Sequence, residues 1–171
     1  MSKKTVVAVD LDGNEEEILA GKLEWRPSAY AIVIKDGALL LSPQNNGYDL
    51  PGGGMDKGEQ PEETVIREVK EETGIDVVNP RLVACTSNFF KRTYKSTHYI
   101  HSILLYYVCD FTGGELSDAG FTEEEKLSIH FPEWVSLNSG QIQLDDKQMG
   151  SSYDWRPLVK KVAHEHENHR H

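Results

Sequence analysis

Hydrophobic and polar residues alternate in short bursts along most of the 171-residue chain, a rhythm that predicts strands. Thr5 to Leu11, TVVAVDL, is short and β-branched, and Asp12-Gly13-Asn14 turns it. Glu15 to Ala20 fits either a second strand arm or a short helix. Ser28 to Ile34, SAYAIVI, reads as a buried strand, Lys35-Asp36-Gly37 as a hairpin turn, and Ala38 to Leu41 as the returning strand. Ser42 to Gly47 is a loop by composition, after which Tyr48-Asp49-Leu50-Pro51 leads into glycines. Further on, Asp76 to Phe90 predicts a strand broken at Asn79-Pro80, and Lys91 to Ser96 a basic polar loop flanked by aromatics. His98 to Asp110 is the longest strand candidate, apolar enough at its centre to be buried on both faces, with Thr112-Gly113-Gly114 ending it. Leu116 to Lys126 is acidic and turn-rich, Ile129 to Leu137 holds a last strand around Trp134-Val135, and Asp145 to Gly150 is another polar break. Trp155 to Ala163 predicts a terminal helix, with Pro157 in its first turn and Leu158 and Val162 spaced to dock on a core.

One stretch departs from the strand rhythm. Gly53 to Ile75, GGMDKGEQPEETVIREVKEETGI, has helical spacing after Pro61 and stops at Gly74, a residue that accepts the left-handed closing conformation. Val65 and Val69 form an apolar stripe that can anchor the helix. Glu68 and Glu72 stand one turn apart on one face, and Glu71 borders it. Carboxylates this close repel; two unit charges ~4 Å apart cost about 4 kcal/mol at an effective dielectric of ~20. Arg67 lies four residues from both Glu63 and Glu71 and relieves part of this, while Glu68 and Glu72 lack a comparable local partner. A hard divalent cation such as Mg²⁺ resolves the conflict and keeps waters for a phosphate-bearing substrate. A solvated acidic helix face is the competing reading of the same spacing.

The full pattern separates these readings. Gly53, Glu59, Arg67-Glu68-Val69, Glu71-Glu72 and Gly74-Ile75 stand at the spacing of a complete Nudix box, and the chain resembles the Nudix hydrolase family on that basis. The hairpin, variable loop and Leu-Pro-Gly-Gly approach before the box are also similar to Nudix proteins. The resemblance implies an α/β fold, an α/β/α sandwich with a mixed β-sheet. It implies that Glu68, Glu71 and Glu72 face a divalent metal, joined by the backbone carbonyl near Gly53, and that Arg67 and Glu59 brace loop against helix. Mg²⁺ is the expected cofactor, with Mn²⁺ as an alternative. The expected reaction is water attack on phosphorus in a diphosphate linkage. Glu68 or a glutamate of the Glu123–Glu125 run, with Glu124 ranked first, takes the proton.

Charge and composition narrow the partners. A net charge of −10 argues against nucleic acid and against an anionic membrane surface, but not against a small nucleotide met through metal ions. The 38% hydrophobic content fits a single domain over 1–171, with 1–27 as an N-terminal extension or strand and the His-rich 164–171 as a frayed tail. Cys85 and Cys109 sit in apolar runs and read as buried thiols of a reducing cytosol. No signal peptide or spanning segment is expected, and a homodimer is allowed. Arg26, Tyr30, Lys91, Arg92 and Tyr94 are the substrate-binding candidates, with Phe89 and Phe90 as further stacking surfaces. Nudix proteins that cleave ADP-ribose tend to carry a proline where this chain has Lys91, and those acting on dinucleoside polyphosphates a tyrosine where it has Arg92. Elimination leaves a nucleoside triphosphate or nucleotide sugar as the expected substrate. A nucleotide-sensing module and an isoprenoid diphosphate isomerase are the alternatives; the isomerase needs a cysteine in the site.

Overall fold

The structure, a computed structural model, describes residues 4–10, 12–44, 47–92, 98–121, 123, 127, 129–137 and 153–168. Its centre is β3 (Leu23–Lys35), whose long apolar run pairs in parallel with β8 (His98–Gly114), in register from Leu23 opposite Tyr99 to Val33 opposite Cys109. β3 turns antiparallel into β4 (Ala38–Gln44) through Asp36 at φ 50° and Gly37 at φ 77°, two left-handed residues in a tight hairpin. On the other side of β8 lies β7 (Ile75–Arg92), antiparallel to it. The sheet continues to β1 (Thr5–Val9) and β2 (Glu15–Leu19) at one end and to β5 (Gly47–Asp49) at the other. β6 (Gly52–Gly54) pairs with β3, and β9 (Glu133–Ser136) with β4, so parallel and antiparallel pairs are mixed.

Strand alternation divides the core into two layers. On one face, Ala29, Ala31 and Val33 of β3 and Tyr107 and Cys109 of β8 pack on Val65 and Val69 of α1 (Pro61–Thr73). On the other, Ile32, Leu104, Tyr106 and Val108 pack on Trp155 and on Val159 and Val162 of α2 (Arg156–Asn168). The result is the expected sandwich of a mixed sheet between helices. Among the described residues no helix is long and apolar enough to cross a membrane.

α1 begins at Pro61 and is held at its start by Glu63, which accepts the Gln60 N–H at 2.8 Å. It ends at Gly74, whose φ of 74° brings its N–H to the Lys70 carbonyl at 3.0 Å. α2 is fastened at its start by the fully buried Trp155, whose Nε1 donates to Asp49 Oδ1 at 2.9 Å. The same oxygen accepts the Leu50 N–H at 2.8 Å. Burial pushes the Asp49 carboxyl up to about 7, against the partial relief of these two bonds.

Several local expectations change. Glu15–Leu19 is a strand, followed by a 3-10 turn at Ala20–Lys22, because its residues pair edge to edge with β1. Asn79-Pro80 does not break β7; register shifts and a positive φ of 51° at Asn79 absorb the proline, and Arg81 pins the site to Asp110 at 2.7 Å. β8 runs through Gly114 rather than ending at Thr112. Pairing with β5 extends β4 through Ser42 to Gln44. Lys91 and Arg92 belong to β7, not to a loop. Val159 joins Val162 as the buried face of α2, with Leu158 only partly covered. The helix reaches Asn168, inside the segment expected to fray. Cys109 is buried, but Cys85 is exposed. The expected break at 145–150 lies outside the described residues.

Two outcomes follow. Val69→Ala removes methyl groups from a fully buried contact between α1 and the sheet. It is expected to lower the unfolding free energy by about 2 kcal/mol, read as a lower denaturant midpoint at constant m-value. The folded Asp49 carboxyl titrates at about 7 and the unfolded one near 3.8, so between those values the folded chain holds a proton that the unfolded chain has released. Its contribution to stability is complete below pH 4 and is lost as pH rises through 7. The melting midpoint of the wild type is therefore expected to fall over that interval, and the fall to flatten in Asp49→Asn; identical slopes would contradict the assignment.

Candidate active site

The approach from β5 through β6 and the C-terminal half of α1 form one side of a cleft of about 430 Å³. The other side is the even-numbered face of the sheet. Cross-strand register places Arg26 opposite Ser102, and Ser102 opposite Asn88; the next rung pairs Ile100 with Phe90. Arg26, Tyr30, Phe90, Arg92 and Ser102 accordingly line the cleft. Burial, and secondarily the negative charge of Asp49, raises the Tyr30 hydroxyl well above the usual phenol range, so it stays protonated.

Glu68 and Glu72 face this cleft from successive turns of α1 and are only 8% and 6% exposed. Each has a local partner, contrary to expectation. Arg67 Nη1 donates to Glu68 Oε1 at 2.8 Å, and the Gly52 N–H donates to Glu72 Oε2 at 3.1 Å. A Cβ on Gly53 would sit 2.8 Å from the Glu68 carboxylate, so only glycine lets this backbone lie against the acid.

Arg67 holds the arrangement together. Its Nε and Nη2 grip both oxygens of Glu59 at 2.7 and 3.0 Å, and Nη1 also reaches Glu71 at 2.9 Å. Glu59 in turn accepts the Asp56 N–H at 3.0 Å and the Thr64 hydroxyl at 2.8 Å. These bonds, Arg67 foremost, hold the Glu59 carboxyl down to about 2. Glu63 is not an Arg67 partner; it is occupied at the helix start.

The sequence-derived candidates separate by geometry. Gly53, Glu68, Glu72, Arg26, Tyr30 and Arg92 meet at the cleft. Glu71 does not line it; its side chain is half-exposed and paired with Arg67. Lys91 does not line it either. Strand alternation turns it away from its neighbour Arg92, and it pairs with Glu16 at 2.7 Å. Phe89 likewise points away and meets His101 edge-on. Glu124 and Tyr94 lie outside the described residues. Neither cysteine lines the cleft. Asp49 does line it and was not singled out from the sequence. The signal that could have found it is an acid set between Tyr48 and Leu50, where a strand enters the core.

Among the described residues no group of three or more His, Cys, Asp or Glu is gathered as a cation cage. The donors on the α1 side of the cleft are two buried carboxylates and the glycine backbone against them. That oxygen set suits Mg²⁺, which is commonly held by one or two carboxylates and completes its shell with waters and substrate phosphates.

The profile described as NUDIX domain matches residues 24–156. An uncharacterised Nudix hydrolase of Bacillus subtilis, YvcI, is 35% identical over 94 residues, 54% of this chain and 56% of that one. An ADP-ribose pyrophosphatase of Methanocaldococcus jannaschii is 33% identical over 101 residues, 56% of this chain and 57% of that one. The chain thus spans little more than half the length of these curated relatives. Among solved structures, a MutT protein from Bacillus halodurans superposes with a TM-score of 0.58 at 26% identity, covering 81% of this chain and 82% of that one. With the box, the sandwich and the profile match in agreement, the chain belongs to the NUDIX domain family.

Proposed function

We propose that the protein is a divalent-cation-dependent hydrolase that cleaves the diphosphate linkage of a small nucleotide-type compound. The observation that carries this reading is the pair of buried carboxylates, Glu68 and Glu72, held on a cleft against the Gly53 backbone and braced by Arg67. The pyrophosphatase name of the Methanocaldococcus jannaschii relative supports the same reaction class.

Glu68, Glu72 and the Gly53 carbonyl are the groups that would hold Mg²⁺. When bound, the cation supplies neutralisation of phosphate charge and a more acidic water. The chain's own residues supply the rest. Arg26 and Arg92 have no ion pair among the described residues and line the cleft, where they can grip phosphate oxygens as bidentate donors. Arg67 fixes the direction of the Glu68 carboxylate. Water forms a bond to one phosphorus, the bridging P–O bond breaks, and the leaving phosphate keeps that electron pair. The water's proton passes to a carboxylate, for which Glu68 and Glu124 are the candidates. Glu71 enters this account through Arg67 rather than through the cleft.

The cleft does not favour the isomerase alternative, since it contains no cysteine. The substrate beyond its diphosphate is drawn in two directions. The named relative points to ADP-ribose, while Lys91 stands where ADP-ribose enzymes tend to carry proline. Because Lys91 lies off the cleft in this fold, its identity bears weakly on substrate choice, and ADP-ribose joins nucleoside triphosphates and nucleotide sugars in the test panel.

A phosphate-release screen with Mg²⁺ over that panel is expected to give turnover that chelation abolishes. Nucleotide binding without turnover on any member would instead favour a sensor. Glu72→Gln is expected to cut kcat by at least ~100-fold with an unchanged circular dichroism spectrum. Arg92→Ala is expected to raise KM about tenfold, and Lys91→Ala to leave it within about twofold. Equal effects from these two neighbours would contradict the cleft assignment.

A further inference from the structure

Among the described residues, Asp49 is the one cleft acid that belongs neither to the α1 cluster nor to its bracing. It is only 4% exposed, yet it lines the cleft. Its Oδ1 is used twice, by Trp155 Nε1 and by the Leu50 N–H. Its Oδ2 has no hydrogen-bond partner among the described residues. Asp49 lines the cleft, and Oδ2 is the carboxylate oxygen that the fixed bonds leave for a ligand there. A buried carboxylate with one oxygen fully engaged and the other open is costly unless a donor arrives there. Tyr30 lines the same cleft and feels the charge of both Asp49 and Glu72. Tyr30 and Phe90 add aromatic rings, and Ile100 an aliphatic side chain, to the lining of the same cleft.

We propose that Asp49 Oδ2 is a specificity-determining acceptor that reads an N–H or O–H donor on the nucleoside part of the substrate, while Oδ1 is fixed in place by Trp155 and Leu50. The donor is an amino group of the base or a hydroxyl of the sugar. A buried acceptor of this kind discriminates strongly, because a substrate lacking the donor leaves the oxygen unpaired. The inference rests on the hydrolase reading for the identity of the ligand, but its test does not need turnover.

Asp49→Asn is the matched variant: its amide oxygen can keep both fixed bonds, while the amide nitrogen turns the open acceptor into a donor. Binding is measured calorimetrically with Mg²⁺ at pH 8.5, where the carboxyl is ionised. The probes are AMP against purine riboside monophosphate, GMP against IMP, and each ribonucleotide against its 2′-deoxy form. The wild type is expected to prefer the donor-bearing member of at least one pair by about tenfold or more. Asp49→Asn is expected to bring that preference within about twofold while melting no lower than wild type. The pair that responds tells base from sugar. A wild type indifferent to every pair, or an Asp49→Asn protein that keeps the wild-type preference, overturns the proposal. Absence of turnover with the preference intact would instead count against the hydrolase reading alone.

Discussion

The structure depends on one guanidinium placed where four groups of negative or carbonyl character converge. Arg67 binds Glu59 from the loop, Glu68 and Glu71 from its own helix, and approaches the Gly54 carbonyl at 3.4 Å. Without it, the helix would present Glu68 to the cleft stripped of its arginine partner. With it, the loop is tied to the helix and the repulsion is partly cancelled before any ligand arrives. The planar fork matters, since a lysine ammonium could not span both oxygens of Glu59 and reach Glu68 and Glu71 as well. The surrounding bonds to Thr64 and the Asp56 N–H saturate Glu59, so the brace is closed at both ends.

The sheet gives this brace something rigid to work against. Val65 and Val69 are fully buried on β3 and β8, which sets the depth of α1. β6 then lies along β3, with Gly53 opposite Ala29, and brings the glycine backbone under Glu68. On the far face, α2 closes the core through Trp155 and in doing so reaches Asp49 at the cleft floor. The C-terminal segment thus bears on the cleft through its bond to Asp49, without lining it among the described residues.

Much of this was legible in the sequence where a local rule controls the outcome. Pro61 and Gly74 bound the helix, Val65 and Val69 gave its buried stripe, and the Asp36-Gly37 turn gave the hairpin. The pairing of Glu68 and Glu72 on one face followed from helical period alone. What was not legible depends on partners distant in sequence. Glu15–Leu19 became a strand because β1 lies beside it, and β7 ran through Pro80 because β8 held its register on both sides. Lys91 and Arg92 looked equivalent while they were assigned to a loop; as strand residues they face opposite ways. Asp49 was passed over because its burial comes from Trp155, more than a hundred positions later.

The central claim is that Glu68 and Glu72 form a cation site on this cleft. Titrating Mn²⁺ into the protein and following the free ion by electron paramagnetic resonance tests it without reference to any substrate. The account predicts saturable binding by the wild type that is lost in the Glu68→Gln, Glu72→Gln double variant while the fold persists. Wild-type affinity for Mn²⁺ in that double variant would contradict it.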